Sequence, residues 1–148
     1  MKKVLMSIST PHANKIFEGT KKWEFRKAIP KTIFENKTIM VVYSSKGDKA
    51  IIGEFRVGQI LKCSLDELLV RTGYKNDSKA YEWFSNYYTD KENCTAIEVI
   101  NPRLYNKKIT LENLRFELKG FRPPQNYMYI YENDKLDKLL KKQLLPFI

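Results

Sequence analysis

Histidine and cysteine are scarce in this chain of 148 residues. His12 is the single histidine, and the two cysteines, Cys63 and Cys94, form no C-x-x-C pair. A structural zinc site draws on several thiolate or imidazole ligands, so none is expected, and no cofactor is called for. A Ser-His-Asp triad is disfavoured for the same reason, because His12 has no evident partner. Two cysteines do not make a disulfide framework, which fits a reducing cytoplasm. No apolar run approaches the length of a membrane span. The opening Met1-Lys2-Lys3-Val4-Leu5-Met6-Ser7-Ile8 is basic and then apolar, but its apolar part is short and broken by Ser7, Ser9 and Thr10. It reads as a strand rather than a signal peptide. Internal repeats and linkers are also missing, and the length suits one domain with a real core.

Positive charge and aromatic rings are plentiful. Lys and Arg total 27 against 17 Asp and Glu, a formal charge of +10, and there are nine Tyr, eight Phe and two Trp. Such a surplus on a small protein favours polyanions, most simply RNA or DNA phosphates. A lysine-biased composition explains the same surplus equally well, because the charge is spread along the chain. Its densest stretch runs from Lys21 to Lys37, with six basic residues and two acids.

The run Gly19-Thr20-Lys21-Lys22-Trp23-Glu24-Phe25-Arg26-Lys27 stands out within that stretch. From Lys22 the pattern alternates, with Trp23 and Phe25 on one side and Lys22, Glu24 and Arg26 on the other, which predicts a half-buried strand. Glu24 and Arg26 fall roughly 7 Å apart on one face. A carboxylate beside a guanidinium stays ionised. On pattern alone, an edge strand with a solvated charged face is the plainer expectation.

The rest of the chain alternates strands and short helices. Val4–Ile8 predicts a strand, followed by a helix from Thr10 as N-cap, with Pro11 at its first position, to about Glu18. Gly19 ends that helix, and His12 in its first turn reads as a surface residue. Residues 28–37 form a basic loop. Thr38–Tyr43 is apolar on both faces and predicts a central strand ending in Tyr43-Ser44-Ser45, with a turn through Lys46-Gly47-Asp48. Ala50–Leu61 is a long strand in which Gly53 and Gly58 suggest bulges or bends. Ser64-Leu65-Asp66-Glu67 is a capping box for a helix broken by Gly73. From Ser78, the spacing of Ala80, Trp83, Phe84, Tyr87 and Tyr88 predicts a helix whose aromatic stripe belongs to the core rather than to a base-stacking platform. Thr95–Ile100 is a strand interrupted at Asn101-Pro102, and Thr110 caps a short helix with Leu111, Leu114 and Leu118. Gly120-Phe121-Arg122-Pro123-Pro124-Gln125 is a rigid turn before a last strand, Asn126–Tyr131. A helix with Leu136, Leu139 and Leu140 closes the chain. The whole predicts an α+β fold: a curled sheet or pseudo-barrel of five to six strands with short peripheral helices, spanning 1–131, with the C-terminal helix region 132–148 packed on it.

Taken in order, these features resemble the ASCH domain family of the PUA-like superfamily. The resemblance rests on the Pro-led helix ending Ile16-Phe17-Glu18-Gly19 and the G-x-K-x-x-E-x-R run of Gly19, Lys21, Glu24 and Arg26. It also rests on the strand end Tyr43-Ser44-Ser45, on Ile51-Ile52-Gly53-Glu54-Phe55, and on Gly120-Phe121-Arg122-Pro123-Pro124-Gln125-Asn126-Tyr127. It covers the chain to about residue 131. It implies a pseudo-barrel with a cleft lined by the Lys21 strand, and RNA or a modified nucleotide as ligand, with a role in regulating transcription or translation. One branch similar to this domain hydrolyses N4-acetylcytidine and another relative is a ribonuclease. The amidohydrolase motif carries a lysine, matched by Lys21, and a threonine, where this chain has Glu24. Its third catalytic residue is a helical glutamate, for which Glu82 is the candidate counterpart.

For binding, Lys21 and Arg26 suit phosphates or a guanine edge, Tyr43 or Tyr127 suit base stacking, and Ser44, Ser45 and Gln125 suit a base edge, with Glu24 a further ligand-binding candidate. For hydrolysis, Lys21 and Glu24 are the catalytic candidates. The expected partner is RNA or a nucleotide-like ligand, with DNA second and no membrane.

Overall fold

The computed structural model describes residues 1–144, with the side chain of Leu144 and residues 145–148 outside that description. The last four residues of the expected C-terminal region therefore fall outside the described residues. Among the described residues, six strands form one mixed sheet: β1 (Lys2–Ser9), β2 (Trp23–Arg26), β3 (Thr38–Ser45), β4 (Ala50–Cys63), β5 (Cys94–Thr110) and β6 (Tyr127–Ile130), in the order β2-β5-β4-β3-β1-β6. β1 and β3 pair in parallel, and every other pairing is antiparallel. Five helices, α1 (Thr10–Glu18), α2 (Leu65–Thr72), α3 (Ser78–Tyr87), α4 (Leu111–Glu117) and α5 (Lys135–Leu144), lie between or after the strands.

The fold is α+β, as its sequence pattern predicts, and the sheet is curled without closing. Its edge strands β2 and β6 share no backbone ladder. One side chain spans the gap instead. Arg26 on β2 donates from Nη2 to the Ser7 carbonyl of β1 at 2.8 Å and from Nη1 to Asn126 Oδ1, just before β6, at 3.3 Å.

The central strand β3 is buried on both sides, as its doubly apolar sequence requires. Met40 and Val42 enter a core cluster with Val4, Met6 and Phe55. Val41 and Tyr43 enter another with Leu5, Tyr105 and Leu114, onto which Leu136 and Leu140 of α5 also pack. A third cluster joins α2 and α3 to β5 and β2 through Leu68, Phe84, Ala96 and Phe25.

Two local expectations need correction. The N-cap of α1 is Ser9, not Thr10. Thr10 is used otherwise: its hydroxyl donates to the Ser45 carbonyl at 2.7 Å and accepts from the Gly47 and Asp48 amides, both at 3.1 Å. It also shares a 2.8 Å hydrogen bond with Ser44 Oγ. Asn101-Pro102 does not end its strand. β5 runs through it because Asn101 adopts φ 50°, and the ladder to β4 skips a residue there, from Ile100 opposite Arg56 to Arg103 opposite Glu54. A bulge accommodates a proline that a regular central ladder would reject. Further register shifts flank Gly53 and Gly58. A Cβ at Gly53 would stand 2.5 Å from the Arg103 carbonyl and 2.7 Å from the Phe17 ring, so the close crossing of β4 over β5 and α1 requires glycine.

Candidate nucleotide-binding cleft

The charged face of β2 is not a solvated edge. Glu24 is 5% exposed, and its two oxygens are shared between two cations. Lys21 Nζ donates to Oε1 at 2.7 Å, and Arg26 Nε lies 3.1 Å from Oε2. That Arg26 N–H makes the ion pair without hydrogen-bond alignment. The alternation of β2 sends Trp23 and Phe25 into the third core cluster and leaves Glu24 and Arg26 on the opposite face. Lys21 comes from the turn before the strand, where Gly19 at φ 85° caps α1 and the amides of Thr20 and Lys21 both bond to the Lys15 carbonyl.

His12, on the first turn of α1, completes this group with Nδ1 3.4 Å from Lys21 Nζ. A lysine ammonium has only donors, so Nδ1 must accept and the ring proton sits on Nε2. Burial and then the Lys21 charge push the His12 pKa below its ordinary value of 6.5, against the opposing pull of Glu24. His12 is therefore neutral near pH 7.

These residues line a cleft of about 660 Å³. Its other lining is aromatic. Trp83 and Tyr87 on α3 stack with centroids 5.0 Å apart and planes 15° from parallel. Phe84 packs edge-on to Trp83 and 4.5 Å from Phe25. Tyr87 is held by a 3.2 Å hydrogen bond from its hydroxyl to the Phe25 carbonyl, and Lys27 Nζ sits 5.2 Å from its ring centre. Burial, the largest cause, raises its phenol pKa, so Tyr87 stays protonated. Trp83 is half exposed, at 50%. Lys15 and Lys46 add positive charge to the lining.

The structure brings Lys21, Glu24 and Arg26 together but distributes the other candidates elsewhere. Tyr43 is 3% exposed and belongs to the core cluster around Tyr105 and Leu114, because strand alternation points it away from the cleft side. It is not a stacking surface. Ser44 is buried and hydrogen-bonds Thr10 and Asp48, while Ser45 offers its carbonyl to Thr10. These serines position the turn that presents Lys46 rather than line the cleft. Gln125 is exposed beside the mouth, where its neighbour Asn126 accepts from Arg26. Tyr127 is half exposed and rests edge-on against Tyr129. Glu82 lies on the outer face of α3 and does not line the cleft. Among the described residues, no group of three or more His, Cys, Asp or Glu is arranged to hold a metal ion.

Sequence reasoning missed His12, Trp83 and Tyr87. His12 and Lys21 meet only because α1 folds back through its glycine cap, which local pattern does not reveal. The aromatic stripe did hold a signal. Ala80, Phe84 and Tyr88 form one i,i+4 ladder and Trp83 and Tyr87 a second beside it, more width than a short helix needs for one core face.

Comparison with known proteins agrees with this architecture. The ASCH domain family model matches residues 6–103, and the chain belongs to that family. No curated protein sequence matches it. Among solved structures, ASCH from Zymomonas mobilis superposes with a TM-score of 0.78 at 23% identity, covering 95% of this chain and 94% of that one. Human THYN1, solved in complex with DNA containing 5-methylcytosine, superposes with a TM-score of 0.59 at 10% identity, covering 97% and 98%. The N-terminal domain of McrB from Staphylothermus marinus gives 0.55 at 11% identity over 91% of each.

Proposed function

We propose that this ASCH protein associates with nucleic acid and takes a nucleobase, of RNA or of a modified nucleotide, into the Lys21 cleft. The observation that supports this most directly is the pairing of chemistries in one cavity. A stacked Trp83–Tyr87 wall shares the cleft with the buried Lys21–Glu24–Arg26 network. Aromatic faces take any base, with stacking worth about 1–3 kcal/mol per base. Lys21 keeps a third N–H beyond those on Glu24 and His12, and Lys15 and Lys46 suit the adjoining phosphates. Human THYN1 offers an analogy of fold, since it holds DNA containing 5-methylcytosine. A role in regulating transcription or translation, in the reducing cytoplasm where Cys63 and Cys94 remain free thiols, accords with this reading.

The test is an affinity panel of single-stranded RNA, 5-methylcytosine DNA and free nucleosides, read by anisotropy and calorimetry. Salt-sensitive binding that falls at least about tenfold in Trp83→Ala and in Lys21→Ala supports the reading. Binding unchanged in both variants overturns it.

A second reading is hydrolysis of an acylated nucleoside such as N4-acetylcytidine, or of RNA. Neutral His12 beside Lys21 favours it, because an imidazole in the cleft can move a proton near pH 7. Glu24 is already engaged by two cations, so Lys21 and Glu24 serve first as a binding pair. Turnover of N4-acetylcytidine or RNA lost in His12→Gln and Lys21→Ala would establish the enzyme.

A further inference from the structure

A second cavity, of about 1030 Å³, lies at the far end of the strands that border the cleft. β1 contributes Ser7, Ile8 and Ser9 to the cleft and Lys2 and Lys3 to this second cavity. β6 begins beside Asn126, which Arg26 holds at the cleft mouth, and ends at Tyr129 and Ile130 in the second cavity, where Tyr131 follows it. The loop after β2 makes the same passage, from Lys27 over Tyr87 to Phe34 and Lys37. The two cavities are therefore the ends of one path along the β6 edge of the sheet.

Rings and cations mark that path. Tyr127 and Tyr129 fall on one side of β6 by strand alternation, roughly 7 Å apart, and Tyr131 follows directly after the strand. Tyr129 is fixed by its hydrogen bond with Thr32, while Tyr127 and Tyr131 are 36% and 70% exposed. Phe34 is also half exposed, with Lys2 Nζ 5.6 Å from its ring centre. Four lysines, Lys2, Lys3, Lys37 and Lys141, line the second cavity against two carboxylates, Glu132 and Asp137. Asp137 is committed internally to Lys3 at 2.8 Å and Lys141 at 3.1 Å. Exposed rings interleaved with lysines suit unpaired bases and their phosphates, whereas a duplex would hide the base faces.

We infer that the β6 edge is a track for single-stranded nucleic acid, with the second cavity receiving a nucleotide a few positions along the strand from the one in the cleft. The inference rests on the cleft reading and extends it to the polymer form of the ligand. Tyr131 and Phe34 stack bases, and Lys2 and Lys37 meet phosphates.

The test compares binding of cytidine 5′-monophosphate, an RNA tetranucleotide and its deoxy counterpart to the full chain and to Tyr131→Ala, Lys37→Ala and Trp83→Ala. The track predicts that the tetranucleotide binds at least about tenfold tighter than the mononucleotide. Tyr131→Ala then lowers tetranucleotide affinity about tenfold with mononucleotide affinity unchanged, and Lys37→Ala flattens the salt dependence. Comparing the ribo and deoxy oligomers identifies the sugar preferred. Equal affinity of Tyr131→Ala and the parent for both oligomers overturns the track. So does a dimer, seen by light scattering, that Tyr131→Ala dissolves with no change in oligomer binding. If Trp83→Ala changes nothing while Tyr131→Ala still weakens the tetranucleotide, the cleft reading fails and the β6 edge binds nucleic acid without it.

Discussion

Glu24 shows how far a residue pattern reaches. Its alternation with Trp23 and Phe25 correctly assigned its face, and the i,i+2 spacing correctly made Arg26 its partner. Its burial was not legible, because burial depends on α1 and α3 closing over the strand, and neither helix is local to it. With two cations on one buried carboxylate, Glu24→Gln leaves both without a counter-charge. A loss of about 3 kcal/mol in urea unfolding is expected. A substitution that costs nothing would mean that water already screens the pair. His12 provides a second check at this scale, and as the sole histidine it can be followed by NMR without assignment ambiguity. Its midpoint should lie below 6.5 and rise in Lys21→Ala, since the Lys21 charge depresses it. The unfolded chain takes up this proton first. The stability linked to His12 is therefore complete above pH 6.5, falls as pH drops below it, and levels off once the folded-state midpoint is passed. His12→Gln should remove that slope from a stability–pH curve.

Elements were more legible than contacts. The glycine caps at Gly19 and Gly73, the N-cap at Ser64 and the cap at Thr110 fall where the sequence places them, since each is a chemical instruction within a few residues. Where instructions competed, tertiary structure decided. Thr10 looks like an N-cap, yet it binds the β3–β4 turn to the start of α1, because the long-range bonds to Ser44, Ser45, Gly47 and Asp48 satisfy more groups than a cap would. Thr10→Val should cost about 1–2 kcal/mol by thermal or chemical unfolding, with the half-buried Asp48 amide left unpaired. It should also weaken ligand binding, since the same turn carries Lys46 and the same helix carries His12. Gly53→Ala forces a methyl into the Arg103 carbonyl and the Phe17 ring, and a loss of about 1–3 kcal/mol is expected from overpacking. Asn101-Pro102 was misread as a strand end because a bulge is defined by the partner strand, which a single segment does not show.

At the scale of the molecule, composition announced a basic, ring-rich protein but not where the rings gather. Folding divides the aromatics. Tyr43 and Tyr105 go to the core between sheet and helices, while Trp83, Tyr87, Tyr127 and Tyr131 stay on or near the surface, with Lys27 over the Tyr87 ring. The curl of the sheet, bridged by Arg26, sets β2 against the start of β6, and the cleft gathers residues as far apart as Ser7 and Tyr87. The central claim is that a base stacks on Trp83 in that cleft. Its most direct test is indole fluorescence in a Trp23→Phe background, where Trp83 is the only indole, titrated with a short RNA. The account predicts saturable quenching that Lys21→Ala weakens and that salt reverses. An emission that does not change while the same RNA is shown to bind by anisotropy would contradict it.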